Sequence, residues 1–196
     1  MASSRFPGKV LAPLAGRPVI AHVVERIAQV LPSTAISVVT STDAADDPLV
    51  LYARELGVDI YRGPRDDVVA RFIGCLDDHP SDWLLRISAD SPMLDPALLN
   101  QLLEVPRMGV DIVTNVFPRT YPKGQSVELV RAGALRELAS RDLTAEEREH
   151  VTKGFYAHPG DWSIVNLIAP PGTNVEVGLA VDTVDDLHRL EVAFAG

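Results

Sequence analysis

Trp83-Leu84-Leu85-Arg86-Ile87-Ser88-Ala89-Asp90-Ser91-Pro92-Met93-Leu94-Asp95-Pro96-Ala97-Leu98-Leu99 reads as a strand, a polar strand end and the start of a helix. Trp83–Ile87 is a short apolar run of the length expected for a buried strand. Asp95 followed by Pro96 is an N-cap and first-turn pair, ahead of a helix whose apolar face carries Leu98, Leu99, Leu102 and Leu103. The same unit recurs along the chain. Ile20, Val23, Val24, Ile27 and Val30 mark one face of a helix opened by Pro18, and residues 35–40 form a β-branched run ending at Ser41, Thr42 and Asp43. A helix from about Pro48 to Gly57 comes next, then a strand over residues 58–61 and a helical face at Val68, Val69, Phe72, Ile73 and Leu76. A further strand is expected over residues 110–116. This alternation predicts an α/β fold: a mostly parallel mixed sheet with helices on both faces, right-handed crossovers, and ligands at the carboxyl ends of the strands.

Downstream the rhythm changes. Residues 117–131 begin with two prolines, Arg119 and Lys123, and read as a functional or oligomeric excursion from the sheet. Thr144 with Glu147 makes a capping box, residues 162–168 and 177–181 are expected as strands, and Thr183 is placed to cap the last helix. With no internal repeat, low-complexity tract or linker, all 196 residues are read as one domain.

Eighteen basic against twenty-seven acidic side chains give a formal charge of −9, which argues against a nucleic-acid partner. No stretch reaches the roughly 18–20 apolar residues that span a bilayer, and no secretion signal is visible, so a cytoplasmic location is expected. The lone Cys75, beside Phe72, Ile73 and Leu76, is expected to be a buried thiol.

Ser3-Ser4-Arg5-Phe6-Pro7-Gly8-Lys9 brings two hydroxyls, a guanidinium, a turn dipeptide and an ammonium into seven residues. By composition it is either a phosphate-binding loop, with forked contacts from Arg5 and a point charge from Lys9, or a basic tail. It is not a Walker loop, and the chain contains no Gly-x-Gly. Asp90 and Asp182 each close an expected strand, and the fold class brings such ends to one edge. Two carboxylates there suit Mg²⁺ shared with a triphosphate; taken singly, Asp90 is equally a turn residue and Asp182 a helix cap.

From this loop onward the sequence resembles the cytidylyltransferase family that makes CMP-activated acidic sugars, most closely its spore-coat-polysaccharide branch. The resemblance rests on the ordered series Ser3 to Lys9, Ser41-Thr42-Asp43 with Asp46-Asp47-Pro48, Arg62-Gly63 with Asp66-Asp67-Val68, and Arg86 to Pro96. Arg119 to Gly124, Arg148-Glu149-His150-Val151-Thr152 and Val181-Asp182-Thr183 complete it. It implies a nucleotide-diphospho-sugar transferase-like Rossmann variant that transfers CMP from CTP to a sugar or sugar-acid hydroxyl with release of pyrophosphate.

On this resemblance Arg5, Lys9 and Asp90 are the catalytic candidates. Ala2, Ser3, Ser4, Arg5, Lys9, Ser88 and Asp90 would bind the nucleotide, and Asp90 and Asp182 the Mg²⁺. Arg119, Tyr121, Lys123, Glu128, Arg148 and His150 would bind the acceptor, and His150 read alone is equally an ordinary helix residue. A homodimer is implied as well. Gln125-Ser126 stands where the branch has an apolar residue and an aspartate, and Gly178 where it has an arginine. The family opens with a buried strand and an Ala-Arg pair before this loop, whereas here the loop follows Met1; a strand upstream is therefore expected, with Met1 an internal methionine. Two other readings are a non-catalytic nucleotide-binding paralogue or scaffold, and a glycosyltransferase of similar fold. The second would normally carry an Asp-x-Asp pair, which this chain lacks.

Overall fold

The structure is a computed structural model that describes residues 5–195. A hairpin of β1 (Pro13–Leu14) and β2 (Arg17–Pro18) leads into α1 (Val19–Ala28). Then come β3 (Ser37–Ser41), α2 (Asp47–Glu55), β4 (Asp59–Gly63), α3 (Val68–Asp78), β5 (Trp83–Ile87), α4 (Pro96–Glu104) and β6 (Ile112–Thr114). The chain continues through β7 (Val127–Arg131), α5 (Ala132–Ala139), α6 (Ala145–Glu149), α7 (Lys153–Ala157), β8 (Ile164–Asn166) and α8 (Val184–Ala195).

Local chemistry explains the helix starts. The Asp95 carboxylate accepts from the Ala97 amide at 2.8 Å and the Asp67 carboxylate from the Ala70 amide at 2.8 Å. Thr144 and Glu147 form the expected reciprocal capping box, and Thr183 and Asp186 exchange the same kind of bonds at the start of α8.

Strand order in the larger sheet is β5-β7-β6-β8, with β5 and β6 both antiparallel to β7, and β6 parallel to β8. Three of its four strands therefore run one way and β7 alone is reversed, which is the mixed sheet expected. Residues alternate between faces along each strand. Val113, Val127 and Leu129 pack with α1, α2 and α4, through side chains such as Ile20, Leu49 and Leu99. Ile112 and Val130 turn to the other face, to Val69 of α3, Leu135 and Leu138 of α5 and Phe155 of α7. Helices thus cover both faces. A third apolar group, Leu14, Val19, Val181, Leu187 and Leu190, fixes α8 to the hairpin.

Four expectations need correction. The excursion ends at residue 126, because residues 127–131 are the reversed strand β7, with all but Arg131 buried. Residues 177–181 form no ladder; two main-chain bonds, Leu179 to Lys123 at 2.7 Å and Val181 to Asp90 at 2.8 Å, pin them between neighbouring loops. Cys75 is half-buried. β5 is half-buried along its whole length, because among the described residues it pairs with β7 alone. Among the described residues β3 pairs in parallel with β4 alone, so the strands expected to flank an additional strand are each bonded on one side.

Candidate active site

Lys9 is aimed inward by a tight turn. Gly8 takes a left-handed conformation, φ 74°, which an L side chain would resist, and a single 3-10 turn follows over Lys9–Leu11. The Lys9 side chain is only 14% exposed, and its ammonium bonds both Asp90 and Asp182, the latter at 2.9 Å. Arg5 reaches the same Asp182 oxygen at 3.2 Å, and Lys123 pairs with the other. These groups come from the N-terminal loop, the exit of β5, the segment leading into Gly124 and the start of α8. The Val181–Asp90 main-chain bond ties the two aspartate segments together, while Asp186 accepts from the Asp182 and Thr183 amides.

The electrostatics fix the charge states. Burial alone would raise the Asp182 pKa, but hydrogen bonds and charges from Lys123 and Lys9 outweigh it and hold the carboxyl at about 2. Burial would likewise lower Lys9, yet Asp90 and Asp182 carry it above the ordinary lysine value. At neutral pH this is an ammonium bridging two carboxylates, with two further cations beside it. Both carboxylates reach one small cationic centre, so the pair can supply two oxygen ligands to a hard divalent ion, with phosphate and water completing the shell. Lys9, Arg5 and Lys123 can then turn to phosphate oxygens.

Beside this cluster lies a cavity of about 470 Å³. Ser88, Asp90, Arg119, Lys123, Glu128 and His150 all line it, as the sequence suggested. Tyr121 and Arg148 do not. Tyr121 packs against the apolar core below α1 and α4, and Arg148 is held at 3.1 Å by the Asp67 that caps α3. Ala2, Ser3 and Ser4 lie outside the described residues.

Sequence reasoning missed Arg86, Lys153 and Tyr156, which also line the cavity. Arg86 forms an ion pair with buried Glu128, and the Tyr156 hydroxyl donates to the other Glu128 oxygen at 2.5 Å. Burial first, then the Glu128 charge, pushes the Tyr156 phenol well above its ordinary value, so it remains a donor. For Arg86 the signal was present, since a charge inside an otherwise apolar strand seldom lacks a purpose. For Tyr156 there was none, because α7 is five residues long with no periodicity to read.

Comparison with known proteins identifies the family. A family model described as cytidylyltransferase matches residues 1–168. The spore coat polysaccharide biosynthesis protein SpsF of Bacillus subtilis is 26% identical over 201 residues, covering 99% of this chain and 82% of that protein. A 3-deoxy-manno-octulosonate cytidylyltransferase of Anaeromyxobacter is 34% identical over 212 residues, 97% of this chain and 83% of that one. Among solved structures, a cytidylyltransferase of Leptospira borgpetersenii superposes with a TM-score of 0.93 at 23% identity, covering 100% of this chain and 83% of that one. Rv0371c of Mycobacterium tuberculosis, in complex with manganese, gives 0.68 at 18% identity, over 97% and 95% of the two chains. The chain therefore belongs to the cytidylyltransferase family.

Proposed function

We propose that this protein transfers CMP from CTP to the hydroxyl of a sugar acid, releasing pyrophosphate, with Mg²⁺ held by Asp90 and Asp182. The observation that carries the reading is the meeting of Arg5 and Lys9 with those two carboxylates at the mouth of the cavity. Little covalent help is required of the chain, because phosphoryl chemistry of this kind rests on positioning and charge stabilisation. Lys9 and Arg5 neutralise the triphosphate, and Lys123 sits where charge on the departing pyrophosphate or the acceptor can be met. The sheet edge holds the acceptor hydroxyl in line. When bound, the metal ion would lower the pKa of that hydroxyl and offset phosphate charge.

The same reading takes the chain as one nucleotidyltransferase domain working in the cytoplasm; among the described residues no helix is long and apolar enough to cross a membrane. A homodimer through the 117–126 segment is supported by the exposed Ile168, whose carbonyl lies beside Tyr121 of that segment. Thr120 accepts from the Ala169 amide at 2.9 Å, which seats that stretch against the loop.

The direct test is pyrophosphate release from CTP with Mg²⁺ or Mn²⁺ and 3-deoxy-manno-octulosonate, paired with calorimetric CTP binding. Release that disappears in Asp90→Asn and Lys9→Met is expected. A chain that binds no CTP in the presence of either metal would end the proposal.

A further inference from the structure

Register places an apolar row and a polar row side by side on one face of the sheet. Leu84, Val130 and Ile112 stand directly opposite one another across β5, β7 and β6. Two residues along, Arg86, Glu128 and Thr114 do the same. α7 covers both rows. Phe155 seals the apolar one, and Tyr156, stacked on Phe117 with centroids 4.9 Å apart, lies over the polar one.

Glu128 is 2% exposed, and both its oxygens are engaged from within: one by Arg86, the other by Tyr156, whose hydroxyl also meets Thr114 at 2.9 Å. A carboxylate so buried offers almost none of its surface to a ligand. Nor does stability explain it, since a buried ion pair is commonly matched or bettered by apolar residues of the same volume. What the network does achieve is orientation. It locks a guanidinium and a phenol at the floor of the cavity.

Arg86 retains unused donors. A guanidinium carries five N–H groups, and among the described residues the only side-chain bond of Arg86 is the one from Nη1 to Glu128. Its side chain is 25% exposed and lines the cavity. Arg86, Ser88 and Asp90 line the cavity at every second residue, so at about 3.3 Å per residue Arg86 stands up to about 13 Å from Asp90 along the chain. Set back from Asp90 along the cavity wall, Arg86 is placed to meet a part of the acceptor away from the reacting hydroxyl.

We infer that Arg86 is a specificity-determining residue, pre-oriented by Glu128 and Tyr156, that reads an oxygen-rich substituent at the far end of the acceptor. The inference rests on the CMP-transfer reading above. Donor-only chemistry selects vicinal hydroxyls, a carboxylate or a phosphate there and rejects an ammonium group. Glu128 is thereby a positioning residue, acting through Arg86.

The experiment is equilibrium titration of 3-deoxy-manno-octulosonate, and of the analogue shortened by its two terminal carbons, into protein saturated with CMP and Mg²⁺. Arg86→Met leaves a buried carboxylate unpaired, so Arg86→Met combined with Glu128→Gln serves as the variant that keeps its fold. Both are expected to lose about 10- to 100-fold in affinity for the full-length sugar acid, with CTP affinity unchanged. The shortened analogue is expected to bind all forms alike, as the coupling of a double-mutant cycle requires. Equal losses for the two sugar acids, no loss at all, or unaltered protein that binds CTP but neither sugar acid, overturns the inference. Unaltered protein that binds no CTP defeats the nucleotidyl-transfer reading itself, so the two failures are told apart.

Discussion

Gly124 is the hinge on which the site's geometry depends, and Gly124→Ala is the sharpest test of it. Its φ is +97°, and an added Cβ would stand 2.3 Å from the Leu179 carbonyl carbon, 2.5 Å from its oxygen and 2.6 Å from the Ala180 nitrogen. These are main-chain atoms with no rotamer to change. Ordinary contact begins at 3.4 Å, so the 179–180 segment must retreat by about 1 Å. That segment is bonded to Lys123 through the Leu179 amide and to Asp90 through the Val181 amide, and Asp182 follows directly. The retreat therefore pulls Asp182 away from Lys9 and Lys123.

Overpacking of this kind costs about 1–3 kcal/mol of stability. A displacement of about 1 Å between reacting groups costs on the order of 100-fold in rate. Gly109→Ala is the control, since its φ is +71° but no atom lies within 4 Å of the added carbon. It should cost only the left-handed strain of about 1 kcal/mol, with turnover untouched. Urea denaturation and pyrophosphate release measure the two effects. If Gly124→Ala keeps a turnover rate within about threefold of the parent, the wedge between residues 124 and 179 does not set the geometry of the site.

Two further outcomes follow from the ion cluster. Lys9→Met removes the ammonium that now occupies both aspartates, so Mn²⁺ binding to nucleotide-free protein, followed by electron paramagnetic resonance, should tighten while CTP binding weakens. Weaker Mn²⁺ binding would contradict the placement of Lys9 between the carboxylates. The second concerns acid. The folded Asp182 pKa of about 2 lies below its ordinary 3.8, so its contribution to stability is complete above about pH 4 and lost as pH falls toward 2. Lys123→Met should flatten the melting temperature across that window; an unchanged acid profile would show that Lys123 does not hold Asp182 down.

Much of the fold was legible because it is written in local periodicity. Asp95-Pro96 and Thr144 with Glu147 predicted helix starts that the structure contains, and Trp83–Ile87 was bounded correctly. What escaped was set by tertiary pairing. Val127–Arg131 alternates no differently from its neighbours, and only the partners on either side decide that it lies mid-sheet and reversed. Residues 177–181 have the composition of a strand, yet they meet two loops instead of two strands. Side-chain destinations divided in the same way. Arg5, Lys9, Asp90 and Asp182, singled out because phosphate and metal chemistry favours those types at strand ends and loops, do meet in one cluster. Arg148 does not line the cavity, because the Asp67 that caps another helix holds it.

The half-buried state of β5 connects fold to site. Asp90 is reached directly from β5, so the rigidity of the aspartate depends on a strand hydrogen-bonded on one side only among the described residues. The network that compensates lies on its other flank. The Arg86–Glu128 pair links β5 to β7, Tyr156 links β7 to α7, and Thr114 continues the row into β6. An ion pair in the middle of a sheet is a poor means of gaining stability but an effective means of fixing register, because a one-residue slip would turn Arg86 to the opposite face and leave Glu128 unpaired. The residue inferred to read the acceptor and the strand that leads to Asp90 are thus held by the same three side chains. A change in that row that preserves its packing should therefore weaken acceptor recognition while CTP affinity is kept.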